Sequence, residues 1–220
     1  MNILLVYHLR LGDIVRCLPI AKHFHDQGHK VYFECGASYH GLFDLVHYAQ
    51  PVLPAPRGDF DRVIDLQVWP DKFERYVNEN RPWAEFICDL FPEGKKIDMS
   101  RIELDLPPIV VEPYVRDSVV VFPRGYSQLT PVSEHVMLGL AHRVADGRPV
   151  LALGKAEHGY HEIQDIGALC AVIANARQVV TLNSAPTVIA AAYRDAWIHI
   201  CECERDDFYH PRQIRVQPKR

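Results

Sequence analysis

The chain opens on the apolar run Asn2-Ile3-Leu4-Leu5-Val6-Tyr7, which continues into the turn His8-Leu9-Arg10-Leu11-Gly12-Asp13. An unbroken apolar run predicts a strand that is covered on both faces, as the strands of parallel sheets are. After the turn, apolar residues recur at helical spacing from Ile14 onward. A buried strand followed by a turn and a helix is the first part of a βαβ unit, so this opening predicts an α/β fold.

The same alternation continues along the rest of the chain and predicts mostly parallel sheets with helices packed on them. Short apolar or β-branched runs predict strands at residues 2–7, 30–35, 62–66, 118–122, 149–153, 178–182 and 197–201. Helical patterns lie between them, at residues 14–25, 39–46, 73–78, 83–90, 133–145, 162–175 and 186–193. Ser133 precedes one of these helices and is predicted to be its N-cap.

A proline-rich stretch interrupts this pattern near the middle of the chain. Residues 95–117 contain Pro107, Pro108 and Pro113 and no glycine. Prolines stiffen a connection and stop a helix from continuing, so we expect a domain boundary here. The predicted organisation is a first βα domain at 1–105, a linker at 106–117, a second βα domain at 118–205 and a polar, basic tail at 206–220.

Composition narrows the class of protein. The 220 residues are 48% hydrophobic and 24% charged, which is typical of a globular chain and excludes a disordered one. The formal net charge of -4 gives no global attraction to nucleic acid or to anionic membranes. No apolar run approaches the roughly 20 residues of a membrane span, and the start lacks the pattern of a signal peptide, so a cytoplasmic location is expected. The 6 cysteines contain no CxxC pair and are expected to be reduced and mostly buried.

Ligands of doubly wound folds bind beyond the carboxyl ends of the strands, so the residues after each strand are candidates for a site. After the first strand, Gly12 is expected to allow a tight turn, and Asp13 stands at the start of a helix. Asp13 is either a simple N-cap or a carboxylate with a chemical role. After the fourth strand, Arg124 and Ser127 could hold a phosphate, or they could form an ordinary polar turn.

Two more loops have the composition of a nucleotide site. Lys155 and Glu157 follow the fifth strand, and an acidic residue there could accept hydrogen bonds from ribose hydroxyls. Asn183, Ser184 and Ala185 follow the sixth strand and lead into an alanine-rich helix. The N–H groups at such a helix start, with the hydroxyls of Ser184 and Thr187, could bind an anion.

Several other chemistries are not favoured. The chain contains no P-loop, GxGxxG, GxSxG or HExxH motif, which argues against the commonest nucleotide kinases, dehydrogenases, serine hydrolases and zinc proteases. His199, Cys201 and Cys203 alternate along the chain, but their spacing matches no usual structural zinc pattern. No metal site is predicted.

With these loops identified, the sequence resembles glycosyltransferase family nine, the heptosyltransferases that use ADP-heptose to extend lipopolysaccharide core. The opening strand with Leu11-Gly12-Asp13-Ile14 is similar to that family's first strand and Gly-Asp turn. Asp61-Arg62-Val63-Ile64-Asp65-Leu66-Gln67 is similar to its D-x-V-I-D-L-Q strand. Gly154-Lys155-Ala156-Glu157-His158 resembles its loop with a nucleotide-binding glutamate, and residues 173–192 resemble its strand, D-S-G-P-x-H loop and alanine-rich helix.

The resemblance implies a GT-B architecture, in which two Rossmann-like domains face a cleft, with the acceptor largely on the first and the nucleotide-sugar largely on the second. It implies an inverting, metal-independent glycosyltransferase that needs no cofactor and takes a nucleotide-diphosphate sugar as donor. Asp13 would be the general base that removes a proton from the acceptor hydroxyl. The helix start at Ser184 and Ala185, with Arg124 or Lys155, would stabilise the leaving diphosphate.

The chain also departs from the family motif, which keeps alternatives open. Asn183 stands at the position of the family's aspartate, Ala185 at that of its glycine and Val188 at that of its histidine. One alternative is a non-catalytic relative that binds a nucleotide or a sugar phosphate. Another is a glycosyltransferase whose acceptor is a modified nucleic-acid base or a small metabolite, for which the basic tail would be the contact.

Overall fold

The computed structural model describes residues 1–124, 132–200 and 210–217. The chain divides into two compact units, Met1–Asp105 and Leu106–Arg220, and each is an α/β unit built on its own sheet. All strand pairs in both sheets are parallel, as the continuous apolar runs predict. In each unit the carboxyl ends of the strands therefore lie along one edge of the sheet.

The sheet of the first unit has the strand order β3-β2-β1-β4. Its strands are β1 (Asn2–Val6), β2 (Lys30–Glu34), β3 (Gln50–Val52) and β4 (Arg62–Asp65). β1 is central and its residues are almost completely buried beyond Asn2. At its carboxyl end Val6 is in register with Glu34 on one side and with Asp65 on the other, so polar side chains of both neighbours end beside it.

Three α-helices pack in the first unit: α1 (Leu11–Asp26), α2 (Phe73–Glu79) and α3 (Trp83–Cys88). The helix predicted at 39–46 is instead a 3₁₀ helix, Ala37–Leu45, and further short 3₁₀ turns lie at Arg57–Asp59 and Gly94–Lys96. Gly94 is buried against α3, because a Cβ atom built on it would lie only 2.6 Å from the carbonyl carbon of Cys88. The core is filled by fully buried apolar side chains such as Leu18, Phe33 and Phe86.

The sheet of the second unit has the strand order β6-β5-β7-β8-β9. Its strands are β5 (Val119–Val121), β6 (Val150–Ala152), β7 (Gln178–Thr181), β8 (Trp197–Ile200) and β9 (Gln213–Val216). Its helices are α4 (Pro113–Asp117), α5 (Glu134–Ala145), α6 (Ile166–Asn175) and α7 (Ala185–Tyr193). The prediction that Ser133 is the N-cap of α5 is confirmed, since its side chain accepts a hydrogen bond from the Val136 amide.

The structure differs from the predicted elements at short edge strands and in the linker. β3 contains Pro51, and a strand tolerates proline at the edge of a sheet. With only 3 residues, β3 forms no apolar run that could be recognised in the sequence. Part of the predicted tail forms β9, which pairs with β8 and is therefore not a simple polar end. Part of the predicted linker forms α4, whose Val115 is buried in the second unit.

The described residues bear on two expectations, which concern membrane-spanning helices and the state of the cysteines. No helix among residues 1–124, 132–200 and 210–217 has the length and apolar character to cross a membrane. Four cysteines, Cys17, Cys35, Cys88 and Cys170, are buried and form no disulfide. Burial raises the pKa of the Cys170 thiol to about 12, which keeps it protonated and unreactive.

Candidate functional site

Asp13 lies at the carboxyl end of β1, in the first turn of α1. The helix begins at Leu11, because the carbonyl of Arg10 already accepts hydrogen bonds from the Asp13 and Ile14 amides. The expectation that Gly12 forms a tight turn is wrong, since Gly12 lies inside the helix and Arg10 takes the positive φ of 60°. Positive φ is uncommon for a residue with a side chain and is concentrated at functional loops.

Asp13 is also not the N-cap, because Arg10 occupies that position and makes no side-chain cap. As the third helical residue, its carboxylate lies near the unpaired N–H groups of the first turn and is stabilised by the helix dipole. Its side chain is 19% exposed, so one part is packed and another can be reached from solvent. The Asp13 carboxylate therefore lies in the first turn of α1 and is partly exposed at the carboxyl end of β1.

Two neighbours orient the Asp13 carboxylate. The Tyr7 hydroxyl donates a hydrogen bond of 3.0 Å to Oδ2, and Nη1 of Arg16 lies 3.5 Å from Oδ1. Burial, reinforced by the negative charge of Asp13, raises the pKa of the Tyr7 hydroxyl above its ordinary range. Tyr7 therefore stays protonated and acts as a fixed hydrogen-bond donor.

Trp83, at the start of α3, fixes both of these neighbours. Its ring meets that of Tyr7 edge-on at a centroid distance of 6.3 Å, and the Arg16 guanidinium carbon lies 5.4 Å from the centroid of Trp83. Trp83 is buried, so its ring restrains the two side chains that contact the Asp13 carboxylate. Tyr7, Arg16 and Trp83 are not among the site residues that the sequence predicts, because their contacts join separate elements of the fold.

A second buried carboxylate lies at the same edge of the sheet. Glu34 ends β2 and is 1% exposed, and its oxygens accept hydrogen bonds from both terminal nitrogens of Arg57, at 2.7 and 3.2 Å. His8 Nε2 lies 2.7 Å from Glu34 Oε1. Burial acts to raise the pKa of Glu34, but the hydrogen bonds from His8 and Arg57 outweigh it and hold that pKa below its ordinary value. The loop that leads from β1 to the helix of Asp13 is thereby tied to β2 through His8.

We expect Glu34→Gln to lower the free energy of unfolding at neutral pH by about 1–3 kcal/mol, because it weakens a buried, charge-assisted hydrogen-bond pair. A depressed pKa contributes stability above the pKa of the unfolded state and loses it as pH falls through the folded-state pKa. Denaturation at a series of pH values should therefore show a steeper acid loss of stability in the parent chain than in Glu34→Gln.

The matched control for this prediction is Glu93→Gln. Glu93 also accepts two hydrogen bonds from one arginine, Arg62, but its side chain is 35% exposed. Solvent screens such a pair, so the control should lose less than about 1 kcal/mol. Equal acid slopes in the parent chain and in Glu34→Gln would show that the buried carboxylate is not ionised in the folded state as described.

In the second unit, Arg124 follows β5 and belongs to a polar cluster. Its Nε donates to Oε1 of Glu134, the first residue of α5, and its Nη1 lies 2.9 Å from Nε2 of His158. The Tyr160 hydroxyl donates to the other oxygen of Glu134. The hydrogen bond from Tyr160 lowers the pKa of Glu134, and the hydrogen bond from Arg124 adds to this effect. Together they outweigh the burial of Glu134, which acts to raise that pKa. Arg124 is therefore held at the carboxyl edge of the sheet by an ionised carboxylate.

Lys155 and Glu157 lie in the loop after β6, as the sequence predicts. Lys155 Nζ is 3.5 Å from Glu157 Oε1, and His158 Nε2 is 3.4 Å from the same oxygen. The Glu157 side chain is 63% exposed and is accessible to a ligand. Arg124, Lys155 and Glu157 are thus brought to one edge of the second sheet through the shared contacts of His158.

The chain leads directly from β7 into a helix, as the sequence predicts. Asn183 and Ser184 precede α7, which begins at Ala185, and the Ser184 hydroxyl lies 3.4 Å from the Leu182 carbonyl and does not cap the helix. The Ser184 side chain therefore does not cap the first N–H groups of α7. Backbone N–H groups at the start of a helix can bind an anion.

Thr187 does not join this helix start. It is completely buried, and its hydroxyl accepts a hydrogen bond of 2.9 Å from Trp197 Nε1 and lies 3.2 Å from His199 Nδ1. Val188, at the position that the resemblance assigns to the family histidine, is completely buried too. The predicted anion site therefore loses the Thr187 hydroxyl, which stabilises the packing of α7 on β8 instead.

Some predicted residues cannot be placed. Ser127 of the phosphate loop and Cys201 and Cys203 of the zinc alternative lie outside the described residues. Within the described ranges, no group of three or more His, Cys, Asp or Glu side chains is arranged to hold a metal ion. Part of the predicted basic tail packs on the second unit, because Arg212 Nη2 donates a hydrogen bond to the Ala191 carbonyl of α7.

The chain is similar in fold to several solved glycosyltransferases. The chain is 13% identical to heptosyltransferase WaaC of E. coli, solved with ADP, with a TM-score of 0.69 over 100% of this chain and 94% of that one. For the family 9 glycosyl transferase of Veillonella parvula the identity is 11% and the TM-score 0.67, covering 99% and 86% of the chains. For TibC, an iron-containing dodecameric glycosyltransferase of enterotoxigenic E. coli, the identity is 15% and the TM-score 0.66. The alignment covers 97% of this chain, which spans only 63% of the length of TibC.

These comparisons define the fold class as the GT-B fold of the heptosyltransferases. The structures with this fold include a family 9 glycosyl transferase and E. coli heptosyltransferases, and the sequence motifs resemble the same family. No family model matches the sequence, and no curated protein matches it by sequence. At identities of 11–15% the likeness establishes the fold.

Proposed function

We propose that this chain is an inverting glycosyltransferase that moves a sugar from a nucleotide-diphosphate sugar to an acceptor hydroxyl without a metal ion. The observation that carries the proposal is the placement of Asp13. A partly exposed carboxylate at a strand end, oriented by Tyr7 and Arg16, has the geometry that a general base needs. An Asp13→Asn variant that still binds nucleotide but transfers no sugar tests it.

In the proposed reaction, Asp13 takes the proton of the acceptor hydroxyl. The acceptor oxygen then forms a bond to the anomeric carbon on the face opposite the leaving group, which inverts its configuration. The bond from that carbon to the diphosphate oxygen breaks, and its electron pair leaves with the nucleoside diphosphate. Tyr7 keeps its own proton throughout, because burial and the neighbouring carboxylate raise its pKa, and it acts as a positioning residue.

The donor side is proposed to use the carboxyl edge of the second sheet. WaaC was solved with ADP and TibC with ADP-D-beta-D-heptose, so we propose an ADP-sugar as donor. Its diphosphate would accept hydrogen bonds from the start of α7 at Ser184 and Ala185 and from Arg124 or Lys155. Asn183 would hydrogen-bond a sugar hydroxyl, and Glu157 would accept from the ribose.

A second candidate function is a non-catalytic module that binds a nucleotide or sugar phosphate. One observation favours it: Arg124 and Lys155 both already contact carboxylates, Glu134 and Glu157. A diphosphate must share or replace these partners, which lowers the stabilisation that the cations give to a leaving group. This candidate predicts nucleotide binding with no turnover.

We expect ADP to raise the thermal unfolding midpoint of the chain, because a ligand that binds the native state stabilises it. Arg124→Ala should weaken ADP binding about tenfold, the value of one lost charge-assisted contact. Arg143→Ala is the matched control, since Arg143 is an exposed arginine of α5 in the same unit, and it should bind ADP as the parent chain does.

A thermal-shift screen with ADP, UDP, GDP and CMP measures this directly. A shift with none of the four nucleotides, or equal ADP affinity in Arg124→Ala and the parent chain, would remove the donor site from the proposal. A shift with ADP and no sugar transfer under any condition would leave the binding module as the function.

A further inference from the structure

A buried hydrogen-bond network connects α7 to β8 and β9 in the second unit. At its centre, the Thr187 hydroxyl accepts hydrogen bonds from Trp197 Nε1 at 2.9 Å and from Gln213 Nε2 at 3.4 Å. The same hydroxyl lies 3.2 Å from His199 Nδ1. Thr187, Trp197 and His199 are completely buried. These residues and Gln213 are called the Thr187 network below, and they join the helix to both of the strands that follow it.

The partners in this network determine where its protons lie. A threonine hydroxyl has two lone pairs and one proton to donate. The indole of Trp197 can only donate, and the Gln213 amide turns its nitrogen toward Thr187, because its Oε1 accepts from the His210 amide at 3.1 Å. Both lone pairs of the hydroxyl are therefore occupied, and its proton is donated to His199 Nδ1. The Thr187 side chain thus has a partner at each of its hydrogen-bonding positions.

The segment that leads into β9 holds α7 at a second point. Arg212 Nη2 donates to the carbonyl of Ala191, which lies one helical turn after Thr187. The Arg212 amide donates to His210 Nδ1 at 3.2 Å, and the His210 ring lies beside that of Trp197, with centroids 5.2 Å apart. The C-terminal strand and the turn before it therefore contact α7 through two polar side chains on successive turns of the helix.

Thr187 is also joined, through its backbone, to the first peptide of α7. Its amide donates a hydrogen bond of 3.1 Å to the Ser184 carbonyl. The C=O and N–H groups of a trans peptide point in opposite directions, so this bond directs the Ala185 N–H out beyond the start of the helix. Pro186 has no N–H, and that of Thr187 is used within the turn. Ala185 therefore supplies the N–H of this first turn that can reach an anion.

A packing role alone does not account for the Thr187 hydroxyl. The neighbouring buried residues of α7, from Val188 to Ala191, are all apolar. Valine has the shape of threonine and would fill the same space without the cost of burying a polar group. A buried polar network whose members are all satisfied instead makes one arrangement of the core rigid. The hydroxyl therefore fixes the orientation of the helix start.

We propose that Thr187 is a positioning residue for the donor site, and that β9 supports this site through the Thr187 network. The network fixes Thr187 against the sheet, and the Thr187 amide fixes the Ser184 carbonyl. The peptide between Ser184 and Ala185 then presents its N–H where the diphosphate is proposed to bind. Thr187 acts through the backbone, because it is completely buried. The inference rests on the proposed function, since it names the residue that orients a diphosphate-binding group.

The test is to measure the affinity of the full chain for ADP by calorimetry in three variants. Thr187→Val keeps the shape of the side chain and removes the hydroxyl, and it should weaken ADP binding about 10-fold, as the loss of a partner that orients a binding group does. Thr187→Ser should restore most of the affinity, because the hydroxyl is retained. Gln213→Ala leaves the contact between Thr187 and Trp197 intact, so it tests the network even if Thr187→Val does not fold. It should weaken ADP binding less than Thr187→Val does, because its contact of 3.4 Å is the longer one.

Ser118→Ala is the matched control. Ser118 is also completely buried in the second unit, and its hydroxyl donates to the Tyr114 carbonyl at 2.6 Å, but it precedes β5 at the amino edge of the sheet. This variant should bind ADP as the parent chain does. Equal ADP affinity in the parent chain and in the Thr187 and Gln213 variants would overturn the positioning role and leave the proposed donor site in place. An equal loss in Ser118→Ala would overturn it too, and a parent chain that binds no ADP would reject the donor site together with this inference.

Discussion

Asp13→Asn should lower the rate of sugar transfer by about 10²–10⁴-fold, the usual contribution of a general base. Asparagine has the shape of aspartate and still accepts the hydrogen bond that Tyr7 donates to Oδ2 at 3.0 Å. It cannot take a proton from the acceptor, so kcat falls while the affinity for ADP is unchanged. Steady-state transfer rates with an ADP-sugar, beside ADP binding measured by calorimetry, separate these two quantities.

Asp26→Asn is the matched control for this prediction. Asp26 lies at the other end of the same helix, where its carboxylate pairs with Lys22 at 3.0 Å. The substitution removes one carboxylate from α1 in the same way, and we expect the transfer rate to stay within about twofold of the parent. A full transfer rate in Asp13→Asn would reject Asp13 as the base, and an equal loss in both variants would indicate damage to the helix.

Gly94→Ala should lower the free energy of unfolding by about 2–4 kcal/mol, the largest effect on stability that we predict. The added Cβ would lie 2.6 Å from the carbonyl carbon and 2.7 Å from the Cα atom of Cys88, so backbone would have to move. Cys88 ends α3, the helix that begins with Trp83. Chemical denaturation followed by circular dichroism measures the loss, and hydrogen exchange should locate it in α3.

Gly58→Ala is the control for this substitution. Gly58, like Gly94, lies within a three-residue 3₁₀ turn, but a Cβ atom there has no atom within 4 Å. Its stability should change by no more than about 0.5 kcal/mol or rise slightly, because alanine reduces the entropy of the unfolded chain. Equal stability of the two variants would contradict the close packing of Gly94 against the backbone of α3.

The fold was predictable where long apolar runs are buried on both faces. β1 and β7 satisfy this condition, and both strands are present where the sequence places them. β3 and β9 were missed, because short edge strands with Pro51 or Arg215 are defined by the neighbour that they pair with. Pairing of that kind is a tertiary property with no local pattern in the sequence.

The candidate site was predictable only in part. Asp13, Arg124 and Glu157 follow the ends of predicted strands. Their places at the carboxyl edge of a sheet were therefore predictable, because all strands of a parallel sheet end along one edge. The contacts of Asp13 with Tyr7 and Arg16 depend on how β1 and α1 meet in three dimensions.

We propose that this chain transfers a sugar by inversion, without a metal ion. The most direct test is to incubate the chain with ADP-heptose and the methyl glycosides of glucose, galactose, mannose and N-acetylglucosamine in the presence of a chelator, and to determine the anomeric configuration of the product by NMR. We expect a product whose anomeric configuration is opposite to that of the donor, formed at the same rate with and without chelator. A product that retains the donor configuration, a rate abolished by the chelator, or no glycoside at all would contradict it.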